Sequence, residues 1–416
     1  MTVRLSLAQT AALLRPGMTV YVAGAAAEPG ALLDEWAHHG DCAAGVTFVG
    51  VFLPGVNRRD LSTLGADARV RTFFVTPELR AAFAAGRAHF LPLHYSAIYE
   101  YLQSRAAIGL AVFQVSPPDR HGDCSLGMAV DFTPAVLKTN AKRLAVVNSA
   151  MPASRGGPRL RLSDFDYVVA VDEPLIGYTG GPVGAELTML GRQIVSLIED
   201  GDVIQFGLGK VQSALLDALR DHRDLAVHTG MIADPLLPLL DQGTVTRGVV
   251  TGIALGSRAL YERAARDPGI RFRPVGYTHA GATLRRIQRL VTVNSILEVD
   301  LFGQANAEML RGRQISGHGG LVDFLRGGRL AAGGKSILAL VASAQDGALS
   351  RIVPHLEPST VTTTLRADAD WIVTEYGVAD LRYATLDERA ERLIAIAAPR
   401  FRSALADAWT VMRRGL

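Results

Sequence analysis

Backbone amides, more than side chains, are the reactive groups this sequence concentrates. The run Gln205-Phe206-Gly207-Leu208-Gly209-Lys210 follows a short apolar segment and precedes a helical pattern from Ser213 to Arg220. A glycine-rich strand–helix junction aims several N–H groups at one place, and the helix N-terminus adds partial positive charge. Lys210 sets a full charge beside it. The third glycine of a dinucleotide fingerprint and the Gly-Lys-Ser/Thr ending of a P-loop are both missing, so neither assignment is supported. A second loop, Ser316-Gly317-His318-Gly319-Gly320, leads into Asp323-Phe324, and a third, Ala332-Gly333-Gly334-Lys335-Ser336, leads into the apolar run Ile337–Val341. One such loop is as well explained by a tight turn. Three in one half of a chain favour an anionic or carbonyl-bearing ligand.

The two cysteines, Cys42 and Cys124, exclude a disulfide scaffold and a cysteine-rich zinc site, and nothing in the sequence calls for a metal. Their number fits a reducing, cytoplasmic setting. Cys124, in Asp119-Arg-His-Gly-Asp-Cys124, reads as a small packed residue before it reads as a nucleophile.

The elements that must position these loops alternate. Valine-rich runs such as Thr19–Ala23, Val46–Phe52, Leu110–Val115, Val203–Phe206, Leu225–Val227 and Trp371–Thr374 are separated by longer helical patterns, the grammar of parallel sheets covered on both faces. A repeat lies beneath it: Leu13-Leu14 to Val20 resembles Leu197-Ile198 to Ile204, and Ala31-Leu32-Leu33-Asp34 recurs as Ala214-Leu215-Leu216-Asp217. The reading is an α/β protein of two related open domains with mainly parallel sheets, residues 1–182 and 183–416, divided at Gly180-Gly181-Pro182. The 416 residues are 49% apolar, which excludes a disordered chain. The 43 basic residues are spread along the chain and offset by 40 acidic ones, so no nucleic-acid partner is expected. No apolar run reaches the ~18 residues of a membrane span. The leucines near the N-terminus read as the first helix of the fold, not as a leader.

Taken together, Asn294-Ser-Ile-Leu-Glu298-Val-Asp300-Leu-Phe-Gly303-Gln304, Ser316-Gly-His-Gly-Gly320 with Asp323-Phe324, Gly333-Gly-Lys-Ser336, Ser350-Arg-Ile-Val-Pro354 and Val373-Thr-Glu-Tyr-Gly-Val-Ala379 resemble the acetyl-CoA hydrolase/4-hydroxybutyrate CoA-transferase family. Val115-Ser-Pro-Pro-Asp119 with Gly122 and Asp131 extends the resemblance into the first half. It implies a coenzyme A thioester as substrate with no permanently bound cofactor, a CoA site in the second domain, an active site between the domains and a homodimer. It also implies ping-pong chemistry through a glutamyl-CoA thioester, with the oxyanion held by the Leu208 and Gly320 amides. Gly207, Gly209, Lys210, Gly317, Gly319 and Lys335 become expected CoA contacts. Glu28, His228 and His318 become expected substrate contacts.

Two positions depart from that family. Where it carries a glutamate nucleophile, this sequence reads His228-Thr229-Gly230-Met231. Where it carries an asparagine approaching that glutamate, this sequence reads Tyr277-Thr278-His279-Ala280-Gly281. The expectation is an acyl-CoA-processing enzyme with a changed reaction. His279, with an unperturbed imidazole pKa of ~6.5, would act as general base for an acceptor that is water, an alcohol, an amine or a carboxylate. The alternatives are a conventional acyl-CoA:carboxylate CoA-transferase using another carboxylate or direct exchange between substrates, or a silent CoA-binding protein; Glu298 as a replacement nucleophile and Cys124 as an acyl-accepting thiolate are the other groups considered.

Overall fold

A computed structural model describes residues 2–416. The chain divides into two compact units, 1–179 with 250–278, and 180–249 with 279–416. The chain leaves the first unit at 179/180, near the 182/183 division expected from the sequence, and residues 250–278 return to it.

In the first unit the first helix, Leu7–Thr10, is short, and its start is fixed by a reciprocal cap between Ser6 and Gln9. The sheet comprises β1 (Val3–Arg4), β2 (Thr19–Val22), β3 (Thr47–Gly50), β4 (Arg69–Thr72), β5 (Ala88–Phe90), β6 (Leu110–Val115), β7 (Lys142–Asn148) and β8 (Tyr167–Val171). Their order is β5-β4-β3-β2-β6-β7-β8-β1, parallel throughout. Every residue of β6 is buried, as a central parallel strand requires. Helix α1 (Gly30–His38) turns Leu32, Leu33 and Trp36 onto this sheet's core, and Trp36 donates its indole N–H to Thr10.

The second unit repeats the plan. Its strands β9 (Val203–Phe206), β10 (Leu225–His228), β11 (Val245–Thr251), β12 (Leu290–Ser295), β13 (Lys335–Ala339), β14 (Trp371–Thr374) and β15 (Gly377–Asp380) run in the order β11-β10-β9-β12-β13-β14-β15. That is the order β4-β3-β2-β6-β7-β8-β1 with β9 in the place of β2. Helix α2 (Lys210–Ala218) buries Leu215 and Leu216 as α1 buries Leu32 and Leu33. The sequence repeat thus marks equivalent places. Its glycines agree too, since Gly17 and Gly201 precede β2 and β9 with φ of +79° and +81°, a conformation that favours glycine. The last strand differs: β15 is antiparallel to β14, whereas β1 is parallel to β8.

In a parallel sheet, ligands collect at the carboxyl ends of the strands. The loop after β9, residues 207–209, and the segment after β10 lie at that edge of the second sheet. Helix α3 (Leu321–Leu330) packs its Phe324 and Leu325 inward and carries the second glycine loop at its N-terminus.

Candidate functional site

The first glycine loop is short because β9 passes almost directly into α2. Gly209 caps α2 with φ +115°, which a side chain would strain, and the Thr229 hydroxyl donates to the Phe206 carbonyl below the loop. Gln212, buried in the first turns of α2, donates to Ser295 Oγ at 2.8 Å and so ties the helix start to the end of β12. Leu208 is half-buried and Lys210 is exposed.

The second glycine loop and Gly230 meet at one side chain. A Cβ built on Gly320 would stand 2.3 Å from His279 Nε2, and one built on Gly230 would stand 2.9 Å from Cε1 and 3.1 Å from Nε2 of the same ring. Neither glycine has positive φ, so both are glycines because the imidazole lies against them. The ring also packs on Phe324, with centroids 4.4 Å apart and tilted by 50°. His279 is 2% exposed. It follows the short helix Val275–Thr278 and precedes the equally short Gly281–Leu284.

This burial changes the chemistry expected from an ordinary histidine. Loss of solvent, and then the charge of nearby His228, pushes the His279 pKa down to about 3. The ring is neutral at physiological pH and, as a base, no stronger than a carboxylate. The sign for stability follows. Between pH ~6.5 and 3 the unfolded chain binds a proton at this residue and the folded chain does not, so stability falls as pH falls through that window. The wild-type protein is therefore expected to lose up to about 1.4 kcal/mol per pH unit there relative to His279→Asn. Urea unfolding of both proteins between pH 4 and pH 7 reads this difference.

Several expected residues are brought to this edge and several are not. His228 ends β10, buried, two residues before Gly230. His318 sits in the second glycine loop, its Nδ1 3.3 Å from Glu308. Lys335 does not join them. It begins β13, at the amino end of the sheet, and its Nζ donates to the Leu197 carbonyl at 2.7 Å and to Glu199 at 3.1 Å. The glycines before it serve close packing, since a Cβ on Gly334 would meet the Gly328 carbonyl at 2.1 Å.

Glu298 accepts from Asn306 Nδ2 at 2.9 Å, a structural engagement. Glu28, in the first unit, is 4% exposed, accepting from Arg59 at 2.6 Å and Asn57 at 2.8 Å. Burial raises its pKa against the pull of Arg59. Cys124 is fully buried, and burial, then Asp119 and Asp123, pushes its thiol up to about 11. It is expected to resist iodoacetamide at pH 8 in the folded protein, and Cys124→Ala to retain thioester cleavage within about twofold. Intact mass after alkylation and a rate assay check both.

Two participants were given no role from the sequence: Phe324, the wall behind His279, and Glu308 beneath the second loop. Glu375 is buried after β14, with one oxygen accepting from Ala342 N at 2.8 Å and the other without a hydrogen-bond partner. Burial raises its pKa. Four strand spacings separate β14 from β10, roughly 19 Å, too far for Glu375 to replace a side chain at position 230. Among the described residues no three His, Cys, Asp or Glu side chains converge as a metal site would require, and no helix is long and apolar enough to cross a membrane.

Comparison with known proteins agrees with the geometry. Residues 4–177 match the acetyl-CoA hydrolase/transferase N-terminal domain and residues 256–409 the C-terminal domain. The chain is 33% identical to the 4-hydroxybutyrate coenzyme A transferase of Clostridium kluyveri over 395 residues, covering 93% of this chain and 92% of that one. It is 34% identical to the succinyl-CoA:cyclohexane-1-carboxylate CoA transferase of Geobacter metallireducens over 354 residues, 83% and 81% of the two chains. Among solved structures, RipA from Yersinia pestis superposes with a TM-score of 0.90 at 28% identity, over 99% of this chain and 97% of that one. The 4-hydroxybutyrate CoA-transferase of Porphyromonas gingivalis superposes with a TM-score of 0.80 at 31% identity, over the same shares. The fold is that of the CoA-transferases, and with both domains and nearly its whole length matched, this chain is an enzyme of the acetyl-CoA hydrolase/transferase family.

Proposed function

We propose that the enzyme cleaves an acyl-CoA thioester by direct attack of an acceptor, water or a small nucleophile, with no glutamyl-CoA intermediate. The observation that carries this is the His279 ring lying where a side chain at position 230 would project. A nucleophilic carboxylate and this imidazole cannot share the space.

In this reading the Leu208 and Gly320 amides receive the carbonyl oxygen as it gains charge, and His279 takes the proton of the attacking acceptor and passes it to the CoA sulfur as the C–S bond breaks. Neutral His279 always has a lone pair to offer. Its low basicity is offset during reaction, because the oxyanion forming beside Gly320 stabilises an imidazolium that burial alone disfavours. His228, Lys210, Gly207, Gly209, Gly317 and Gly319 are assigned to binding the substrate and its CoA portion, and Glu28 to shaping the acyl end. We further assign the protein to the cytoplasm and to a homodimer.

The relatives named as CoA-transferases favour a second reading, direct exchange of CoA between an acyl-CoA and a carboxylate acceptor. Covalent capture tests the absence of an intermediate. Incubated with acyl-CoA and quenched in acid, the protein is expected to keep its unmodified mass. An adduct of the mass of CoA, or of the acyl group, would contradict the proposal.

A further inference from the structure

The second glycine loop is ordered by one buried carboxylate. Glu308 is 6% exposed. Its Oε1 accepts from Thr363 Oγ1 at 2.9 Å and its Oε2 from Gln314 Nε2 at 3.1 Å, while His318 Nδ1 lies 3.3 Å from Oε2. Both members of the Glu308–His318 pair have side chains less than a tenth exposed. The backbone reinforces this anchor, as Ile315 N donates to the Glu308 carbonyl at 2.9 Å and Glu308 N donates to Asn306 Oδ1 at 3.0 Å. Gln314 also donates to the Ser316 carbonyl at 2.7 Å. Burial alone would raise the Glu308 pKa, but His318, Thr363 and Gln314 together hold it below the usual carboxylate range.

The loop so held needs an anchor. Three glycines in four residues make its ordering entropically costly, and Gly319 stands at φ +56° immediately before the Gly320 amide. Glu308 grips this segment at its start through Gln314 and in its middle through His318. An oxyanion donor must be aimed before the reaction begins, because its value lies in needing no reorganisation.

We propose that Glu308 and His318 are positioning residues that hold the Gly320 amide in line with the thioester oxygen. The inference rests on the oxyanion assignment made above. Loosening the loop weakens one donor while the contacts assigned to Gly207, Gly209 and Lys210 stay in place. Glu308→Gln and His318→Ala are thus expected to lower kcat by about 10–100-fold, less than loss of a whole donor, with a smaller rise in KM for acyl-CoA, up to about fivefold, from the looser Gly317 and Gly319. His318→Asn, whose amide can donate from near the position of Nδ1, is expected to recover most of kcat.

The deciding experiment is the carbonyl stretch of a carbon-13-labelled ketone analogue of acetyl-CoA, with CH2 in place of sulfur, bound to each protein. The wild-type enzyme is expected to move the band to lower frequency. At least half of that shift should vanish in Glu308→Gln and His318→Ala, and it should persist in His318→Asn and His279→Ala. Equal shifts in all five proteins would overturn the positioning role while leaving the oxyanion assignment intact. An unshifted wild-type band would remove the oxyanion assignment itself, and the positioning role with it.

Discussion

Replacing His279 by alanine is expected to slow thioester cleavage by about 10²–10⁴-fold, with KM for the acyl-CoA changed no more than about threefold. The size follows from the role assigned: a general base acts in the transition state, so its loss appears in kcat and leaves ground-state binding of CoA nearly untouched. Stopped-flow or steady-state release of the CoA thiol measures it. The pH dependence adds a second signature. Because the free enzyme holds His279 near 3, kcat/KM is expected to show no acid limb between pH 6 and pH 7, where an ordinary histidine base would produce one. A wild-type limb at ~6.5 that vanished in His279→Ala would mean that the ring titrates as an exposed imidazole and is not buried in solution.

The second large effect concerns Gly230. Its backbone can carry a side chain, since its φ is not in the left-handed region, and the obstacle is the His279 ring, 2.9 Å from the position of the missing Cβ. Gly230→Glu alone is therefore expected to destabilise the protein by about 1–3 kcal/mol through overpacking. That corresponds to a fall of several degrees in the apparent melting midpoint. Gly230→Glu with His279→Asn removes the outer ring atoms and is expected to recover most of that loss. The coupling between the two substitutions should lie in the range of about 1–3 kcal/mol, well beyond additivity. Function should follow stability: the double variant gains a carboxylate with room to act, and is expected to form an acid-stable adduct with CoA and to acquire acetate-dependent CoA transfer. Additive stabilities would mean that the ring and a residue at 230 do not compete for space.

Much of this was legible in the residues. The repeat of Leu13–Val20 and Ala31–Asp34 marked β2 with α1 and β9 with α2 as equivalent, and the strand orders bear that out. Gly230 and His279, forty-nine positions apart, could be paired only through a resemblance, since no spacing rule links them. What the sequence could not convey was that the ring lies where a side chain at 230 would project. Nor could it convey the burial, which is a property of the packed neighbours Gly230, Gly320 and Phe324. Lys335 was different, because a signal was present: its glycines precede a strand, whereas Gly207–Gly209 follow one. In a parallel sheet those two placements lie at opposite edges. The return of residues 250–278 to the first unit was hidden because the crossing runs through strand β11, not through a loop.

Thiol release from acyl-CoA, followed with and without acetate, separates direct attack from CoA transfer between carboxylates. Direct attack by an acceptor predicts net appearance of free CoA in the absence of acetate, once water or a competent alcohol or amine is present, and its loss in His279→Ala. Formation of acetyl-CoA only when acetate is added, with no net thiol under any condition, would contradict it and return the enzyme to CoA transfer between carboxylates.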